Sequence, residues 1–424
     1  MLLWAILALF AVASAKDYTG YQVLSVEPRD VNDLEFLRQL GRNREMKINF
    51  WEEPVRVARV SFHVPPVSSM MVKQVLADNG IPFSIVYSNL QQRIDEVDAA
   101  RIAARFNADP TNYILSDYQR PATINAWLDT LGNQYSQATV RSIGTSTEGR
   151  DMKTITISTG TTGRRSVLID CGIHAREWIT VSTCIYIIQT LLEQYGSNPE
   201  VTSVLDRYDF YVLPVTNPDG YEFTFENGTQ GDRLWRKTRS VNAGEEDDDQ
   251  CWGTDANRNF DSFWGDAGAD PDIPCSDVYP GTQAFSEPET RALRDWALSI
   301  PNKILFLNIH CFTQLWLVPY GYHPSTPYPE DYDELVRVAN IGVAALQAVN
   351  GLEFEVGTPP DILYEVSGGA LDWAKITGGF KYSYSPELRP ESPFDGGFIL
   401  PPGDILPAGR EVFAALLSHC NEMQ

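Results

Sequence analysis

Two histidines and one glutamate stand out because they follow apolar, strand-like segments of the chain. His174 comes directly after "VLIDCGI", His310 directly after "ILFLNI", and Glu177 lies three residues beyond His174. A single histidine is usually structural, but two at equivalent strand ends beside a carboxylate have the composition of a metal site. Two imidazoles and a carboxylate are the protein ligands of an open catalytic zinc site, which keeps a fourth position for water. We therefore predict that these three residues bind one zinc ion.

Other polar groups could support chemistry around such an ion. Asp255, in "DANRNF", is a candidate acceptor that would fix the tautomer of a zinc-binding histidine. Glu387, in "YSYSPELRP", follows a strand in an apolar and aromatic setting that would raise its pKa and suit a general base. An ion pair between Glu387 and its neighbour Arg389 is the structural alternative.

Several arginines lie beside predicted turns in two segments of the chain. The segment "DRLWRKTRS" contains Arg233, Arg236 and Arg239, and "DANRNF" contains Arg258. A guanidinium can polarise a carbonyl oxygen or bind a carboxylate through two hydrogen bonds. In an acidic protein, a surface ion pair is the alternative for each of them.

From about residue 106 onward, strand-like and helical patterns alternate. The strand-like segments include "MKTITIST", "SVLIDCG", "DFYVLPV" and "KILFLNIHC", and the helical ones include "TVSTCIYIIQTLLEQYG" and "LVRVANIGVAALQAVNG". Near-continuous apolar strands indicate an α/β fold whose mixed, mainly parallel central sheet has helices on both faces. Chemistry in such sheets lies at the carboxyl ends of strands, where His174 and His310 fall.

The first part of the chain has a different pattern. Between residues 17 and 90 the order is strand, helix, strand, strand, helix, strand, with "MKINFWEE" and "VARVSFHV" as the middle strands. This order is typical of a small ferredoxin-like α+β sandwich. Residues 89–105 then predict a helix that contains Arg93, Arg101 and Arg105, each a site for a trypsin-like protease. That helix is either an activation segment or a plain linker.

The first 15 residues, "MLLWAILALFAVASA", carry no charged side chain and end in a small-x-small pattern. They predict a secretory signal peptide. A membrane anchor is the alternative, although a span needs about 20 residues. Secretion permits disulfides, and the flanking positions suggest Cys171–Cys184 and Cys251–Cys275 bridges. Cys311 and Cys420 are left, and their pairing stays open.

Charge is distributed unevenly along the chain. Residues 16–105 have no net charge, so the whole net charge of −23 lies in residues 106–424. Such an acidic body argues against nucleic acid or an anionic membrane as a partner. The acidic run at 244–249 predicts a solvated loop, with a calcium site as the alternative.

Six short motifs occur together and in a fixed order: "HAREW", "NPDGY", "RLWRKTRS", "DANRNF", "SGGALDW" and "ELR". With them the sequence resembles the secreted zinc metallocarboxypeptidases of the pancreatic procarboxypeptidase A/B family, most closely the A-type, from about residue 17 onward. The resemblance implies a signal peptide (1–15), a pro-segment with its activation helix (16–105) and a catalytic domain (106–424). It also implies a secreted zymogen, expected to be monomeric, that a trypsin-like protease activates near Arg105.

The resemblance further implies hydrolysis of the last peptide bond of peptides or proteins by a zinc-bound water, with a glutamate as base. The implied roles are zinc binding by His174, Glu177 and His310; general base and then acid by Glu387; oxyanion stabilisation by Arg236; binding of the terminal carboxylate by Asn257, Arg258 and Tyr364; and contact with upstream residues by Arg176 and Arg233.

Specificity in this family depends on the residue at the base of the pocket, which here is Leu371. The basic-specific type carries an aspartate there, so leucine favours an aliphatic or aromatic terminal residue. Val366 and Ser385 would also line the pocket, without deciding between the two. Phe312 and Cys311 depart from the tyrosine and serine that are usual beside the third ligand, but neither belongs to the catalytic machinery.

Two alternatives use the same fold. A non-catalytic binding protein would have lost a ligand, the base or an arginine, and all of these are present. A basic-specific carboxypeptidase would act on terminal lysine or arginine. A serine hydrolase is not supported, because no G-x-S-x-G segment occurs.

Overall fold

The computed structural model describes residues 16–109, 113–225, 231–245, 251–322, 325 and 327–424. The predicted signal peptide and most of the acidic run at 244–249 lie outside the described residues. Among the helices that are described, none combines the length and apolar character needed to cross a membrane.

The N-terminal unit is the predicted small sandwich. Its elements are β1 (Gln22–Val26), α1 (Val31–Arg42), β2 (Asn49–Phe50), β3 (Val60–Val64), α2 (Pro66–Asp78) and β4 (Phe83–Tyr87). The strands form an antiparallel sheet in the order β2-β3-β1-β4. Helix α1 begins after Asp30, whose carboxylate accepts the N–H groups of Asn32 and Asp33. The predicted order of elements is therefore confirmed.

The second strand of this unit is shorter than predicted. The sequence indicated a strand over residues 46–53, but only Asn49 and Phe50 pair with β3. The chain then leaves the sheet, and Trp51 is buried against Phe398 of the larger unit, with ring centroids 5.5 Å apart. Packing between the two units has overridden the local strand pattern here.

Helix α3 (Leu90–Phe106) joins the two units and lies against the larger one. Its apolar residues Leu90, Ile94 and Val97 are buried in the core that extends through the larger unit. Arg101 is also buried, and its Nε donates to Asp117 at 2.9 Å. One face of the helix is therefore docked from Leu90 to Arg101, while its last turn is exposed.

The larger unit contains an eight-stranded sheet between helices. Its strands are β5 (Ala138–Thr145), β6 (Asp151–Ile157), β7 (Arg165–Cys171), β8 (Tyr208–Leu213), β9 (Lys303–Cys311), β10 (Leu315–Leu317), β11 (Glu355–Gly357) and β12 (Tyr382–Leu388). The order is β11-β10-β12-β9-β7-β8-β6-β5. Four of the seven neighbouring pairs are parallel, including the central β12/β9, β9/β7 and β7/β8. The mixed, mainly parallel sheet is thus confirmed.

Eight helices accompany this sheet in the described residues. They are α4 (Pro121–Gln134), α5 (Trp178–Gln194), α6 (Pro199–Leu205), α7 (Pro218–Phe223), α8 (Pro288–Ser299), α9 (Tyr332–Asn350), α11 (Ala370–Ile376) and α12 (Ile405–Glu422), with a single turn, α10 (Pro359–Ile362), between α9 and α11. Two separate apolar clusters meet the central strands: one contains Val167 and Ile169 of β7, and the other contains Leu168. Because neighbouring strand residues belong to different clusters, the sheet is buried on both faces.

The disulfide predictions are confirmed. Cys171 is bonded to Cys184 and Cys251 to Cys275. Cys311 and Cys420 are free and buried, so the open question about these two is answered.

Three differences from the sequence-based expectation concern short or exposed elements. "NPDGY" contains the cap and the first residues of helix α7, which the sequence analysis did not predict; Asn217 caps it by accepting the N–H of Gly220. Strand β5 was not predicted, since most of its residues are not buried and its pattern is weak. Strands β10 and β11 have three residues each, too few for a periodic signal.

His63 of β3 lies buried at the contact between the two units. Its Nδ1 accepts the Nε1–H of Trp51 at 3.1 Å, and Lys16, which pairs with Asp232, is close enough to affect its charge. Burial, with a contribution from the positive charge of Lys16, holds the pKa of His63 well below 6.5. The native protein therefore keeps this ring neutral.

We expect His63 to make the protein less stable in mild acid. The unfolded chain binds a proton at His63 below pH 6.5 and the native chain does not, so unfolding becomes easier by roughly 1 kcal/mol per pH unit below that value. His63→Gln keeps an acceptor for Trp51 but cannot titrate. Calorimetric melting at pH 7 and pH 5 should show a smaller loss in the variant, and equal losses would contradict the assignment.

Candidate active site

The three predicted metal ligands lie together at one edge of the sheet. His174 follows β7, and Glu177 immediately precedes α5. His310 is the second-last residue of β9, which neighbours β7 in the sheet. His174 Nδ1 lies 2.8 Å from Glu177 Oε1 and 3.1 Å from His310 Nδ1. His310 Nδ1 lies 3.3 Å from Glu177 Oε2. All three side chains are almost fully buried.

This arrangement fits a zinc ion. Bonds of the usual length in a tetrahedral site would hold neighbouring ligand atoms about 3.4 Å apart, and the three ligand atoms here all lie within 4.8 Å of one another. The other such group in the described part of the chain is Glu245, Cys251 and Cys275, whose two cysteines form a disulfide. The His–Glu–His group is therefore the better match to a metal.

Neighbouring polar groups orient both histidines. His174 Nε2 lies 3.0 Å from Asp255 Oδ1, as the sequence predicted. His310 Nε2 contacts Asn308 Oδ1, and Asn308 Nδ2 donates to Asp170 Oδ2 at 3.0 Å. These bonds fix the ring tautomers and leave each Nδ1 free for a metal. Sequence reasoning missed Asp170 and Asn308, although both are polar residues inside otherwise apolar strands.

The carboxyl groups of this site titrate differently. Burial would raise the pKa of Glu177, but its two histidine neighbours outweigh that effect and lower it. Burial raises the pKa of Glu387 well above its ordinary value, and the negative charge of Glu177 raises it further. One carboxylate is thus stabilised in its charged form, while the other favours holding a proton.

Glu387 lies within β12 rather than after it, beside His310 of β9 in the register. Its proposed structural alternative, an ion pair with Arg389, is wrong. Arg389 instead pairs with Asp404 at 2.9 Å and with Glu411. The Glu387 side chain lines the cavity that contains the three metal ligands.

Two buried arginines face the same cavity. Arg236 Nη2 donates to Asp255 Oδ2 at 2.8 Å. Arg258, 1% exposed, donates from Nε to the carbonyl oxygen of Gly268 at 2.7 Å. Its buried Nη2 has no hydrogen-bond partner among the described residues. A buried guanidinium N–H without an acceptor is costly, and a ligand carboxylate would satisfy it.

Asn257 and Tyr364 also line this cavity. The side-chain oxygen of Asn257 accepts the N–H of Ala370 at 2.9 Å. The amide nitrogen of the same side chain therefore faces away from Ala370. The ring of Tyr364 lies 6.0 Å from the Arg258 guanidinium carbon, and burial raises the pKa of its hydroxyl. Asn257, Arg258 and Tyr364 are therefore brought together as the sequence predicted.

The predicted specificity residues form the apolar end of the cavity, whose free volume is about 60 Å³. Leu371 is 6% exposed and packs in one cluster with Leu317 and Leu363. Val366 and Ser385 also line this end. The walls would accept an uncharged side chain.

Arg176 and Arg233 are not among the residues that line the cavity. Arg176 Nη1 donates to the side-chain oxygen of Asn49, at 3.0 Å, and Nη2 donates to the Phe50 carbonyl, at 3.2 Å. Arg233 donates to the Phe398 carbonyl and lies over the Trp178 ring. In the full chain Arg176 thus binds the N-terminal unit, and contact of either arginine with substrate stays a prediction.

The N-terminal unit also reaches the cavity itself, which sequence reasoning missed. Trp51 and Glu52 line it together with Phe312 and Phe398. The sequence feature that could have indicated this contact is "NFWEEP", where a tryptophan and two acidic residues end a short strand before a proline. The ferredoxin-like unit therefore forms part of the wall of the cavity that contains the catalytic groups.

An open His–Glu–His site beside a buried arginine and a covering N-terminal unit define a zinc hydrolase made in an inactive form. The comparisons agree. The carboxypeptidase activation peptide profile matches residues 24–97, and the zinc carboxypeptidase profile matches residues 124–415.

Two relatives and one solved structure show how far the similarity extends. Carboxypeptidase A1 of Sus scrofa is 35% identical over 421 residues, covering 99% of this chain and 97% of that protein. Carboxypeptidase B of Astacus astacus is 42% identical over 292 residues, covering 68% and 91%. The structure of carboxypeptidase A from Helicoverpa armigera matches with a TM-score of 0.84 at 28% identity, covering 96% and 98%.

The chain belongs to the zinc carboxypeptidase family. It is a metallocarboxypeptidase that carries an activation peptide, and hence the zymogen of a zinc-dependent exopeptidase. The resemblance read from its motifs is confirmed.

Asp255 should be needed for tight zinc binding although it is not a ligand. Asp255→Asn keeps the shape but weakens the acceptor for His174, and we expect zinc affinity to fall by about 10- to 100-fold. Chelator competition followed by metal analysis measures this. Asp261→Asn removes an exposed carboxylate six residues along and serves as the matched control. Equal zinc retention by both variants would contradict the role of Asp255.

Proposed function

We propose that the activated protein removes aliphatic or aromatic residues from the C-termini of peptides and proteins. It acts outside the cell as a monomer after a trypsin-like protease has cut the chain near Arg105. The observation that carries this proposal is the combination of two features in one cavity. The buried Nη2 of Arg258 has no hydrogen-bond partner among the described residues, and the walls around Leu371 are apolar.

The position of the arginine explains why only the last residue would be removed. A terminal carboxylate would accept from Arg258, with Asn257 and Tyr364 beside it, while the terminal side chain enters the apolar end. An internal peptide has no carboxylate at this point, so binding it would leave the Arg258 donor unsatisfied. This difference favours cleavage at the terminal bond.

The chemistry assigns one task to each remaining group. Zinc, held by His174, Glu177 and His310, supplies Lewis acidity toward the scissile carbonyl and makes a water molecule easier to deprotonate. Glu387 accepts the proton from the attacking water and delivers it to the leaving amine. Its raised pKa suits this shuttle, because a carboxylate with a low pKa would not hold the proton long enough to pass it on. Arg236 donates to the oxygen that gains charge.

Three arginines of helix α3 were candidates for the activating cut, and their exposure separates them. The side chain of Arg105 is 58% exposed, whereas that of Arg101 is 10% exposed and that of Arg93 is 23% exposed. The next residue, Phe106, is 90% exposed at the end of the helix. Exposed element ends are the preferred places for proteolysis. We therefore propose cleavage after Arg105, which divides residues 16–105 from residues 106–424.

Limited trypsin treatment followed by peptide assays tests this function. We expect a new N-terminus at Phe106 and release of phenylalanine or leucine from N-blocked dipeptides. A chelator should stop the release, and Glu387→Gln should lower kcat by at least about 100-fold. Absence of zinc-dependent release after complete cleavage would overturn the proposal.

A basic-specific activity is the second candidate, because the chain is 42% identical to the carboxypeptidase B of Astacus astacus. Against it, Leu371 cannot pair with a lysine or arginine. The neighbouring Asp372 lines the cavity, but its two oxygens accept the N–H groups of Gly321, at 2.7 Å, and Tyr322, at 3.2 Å. Burial raises the pKa of Asp372 to about 7, whereas an aspartate at position 371 would offer oxygens that no backbone N–H group already occupies.

Leu371→Asp should reverse the preference. A carboxylate in this apolar end would repel uncharged side chains by its desolvation cost and would pair with a terminal lysine. We expect kcat/KM for a phenylalanine-ended dipeptide to fall at least about tenfold and that for a lysine-ended one to rise. Leu371→Asn, equal in shape but uncharged, is the control. A wild-type enzyme that already prefers lysine would refute the assignment of Leu371.

A further inference from the structure

The apolar end of the cavity contains one polar group without a function. Ser385, 4% exposed, lines the cavity on β12. It lies opposite Leu317 of β10 in the antiparallel register. Its hydroxyl has no hydrogen-bond partner among the described residues. Buried hydroxyls are usually paired within a protein, with water or with a ligand. Thr313 also lines this cavity with a hydroxyl that has no partner among the described residues, but Ser385 is the one that lies opposite the apolar Leu317.

A second serine on the same strand shows that the fold can satisfy such a group. Ser383 lies two residues earlier and therefore on the same face of β12. It is fully buried, and its hydroxyl donates to the Leu371 carbonyl at 2.7 Å. Ser383 thus holds the helix that presents Leu371, whereas the Ser385 hydroxyl bonds to none of the described residues. The difference assigns a structural role to Ser383 and leaves the hydroxyl of Ser385 for whatever enters the cavity.

The remaining surroundings restrict what can pair with Ser385. Leu317, Leu363, Val366 and Leu371 supply apolar walls, and both oxygens of Asp372 accept backbone N–H groups. A cationic terminal side chain would meet Asp372 here, whose oxygens are already hydrogen-bonded to backbone, and an anionic one would meet no cation on these apolar walls. An uncharged side chain that carries a hydroxyl or amide could bury its carbon atoms against the walls and bond to Ser385. Pockets of this composition, apolar with few polar groups, discriminate strongly through those groups.

We propose that Ser385 selects C-terminal residues that combine an apolar body with an uncharged hydrogen-bonding group, so that tyrosine is preferred to phenylalanine and glutamine to methionine. Both members of each pair have similar size, and the hydroxyl or amide distinguishes them. This inference rests on the proposed function, because it refines the side chain that enters the same cavity.

The full-length protein is first activated with trypsin. The experiment then measures kcat/KM for four N-blocked dipeptides that differ only in the terminal residue: tyrosine, phenylalanine, glutamine and methionine. We expect a higher value for the polar member of each pair. Ser385→Ala should lower the tyrosine-to-phenylalanine and glutamine-to-methionine ratios by about fivefold to tenfold, because the bond is lost only with the polar substrates. Ser385→Thr keeps a hydroxyl and should restore much of each ratio.

The outcomes separate this inference from the proposed function. Failure of the wild type to cleave any of the four dipeptides would overturn the proposed function. Cleavage with no preference for the polar members, or with ratios that Ser385→Ala leaves unchanged, would overturn the role of Ser385 alone. A loss of both ratios that Ser385→Thr does not restore would also refute it, since that pattern indicates altered packing.

Discussion

The carboxylate of Asp255 connects the functional groups of this enzyme. One of its oxygens faces the zinc-binding His174 at 3.0 Å, and the other accepts from Arg236 at 2.8 Å and lies 3.7 Å from Arg258. Its residue is fully buried. A buried carboxylate is stable only when such partners surround it, and burial here is outweighed by Arg236 and His174, which hold its pKa well below the ordinary range. The metal ligand and both arginines are thereby fixed relative to one another before any substrate arrives.

This arrangement is complete in the full-length chain, with the N-terminal unit still in place. The three ligands converge, and the Nη2 donor of Arg258 has no hydrogen-bond partner within the part of the chain that the structure describes. The N-terminal unit occupies space beside these groups through Trp51, which lines the cavity, and through Asn49, which accepts a hydrogen bond from Arg176. Because the catalytic groups are already assembled, the proposed activation would need only to remove this unit.

How far the sequence predicted this molecule depended on the range of each interaction. The ligands were predictable because His174 and His310 end apolar strands, and parallel strands bring their carboxyl ends to one edge. The paired cysteines and the order of elements in the N-terminal unit were also predictable from local pattern. Trp51 was not, because its position depends on contact between two units that are far apart in the chain. The Asp170–Asn308 pair was not, because its meaning appears only when β7 and β9 lie side by side.

Long-range contacts also limit what the sequence predicts about the specificity pocket, where they affect the proposed substrate preference. Leu371 could be read from one motif, since a single charge or its absence decides whether a basic side chain is tolerated. The finer choice among uncharged side chains depends on which hydroxyl of β12 is already satisfied, and Ser383 and Ser385 are equivalent in the sequence pattern. Only the tertiary contact of Ser383 with the Leu371 carbonyl distinguishes them. On the proposals made above, substrate preference would thus depend on hydrogen-bonding groups that the described part of the fold leaves unpaired, Ser385 for the terminal side chain and Arg258 for the terminal carboxylate.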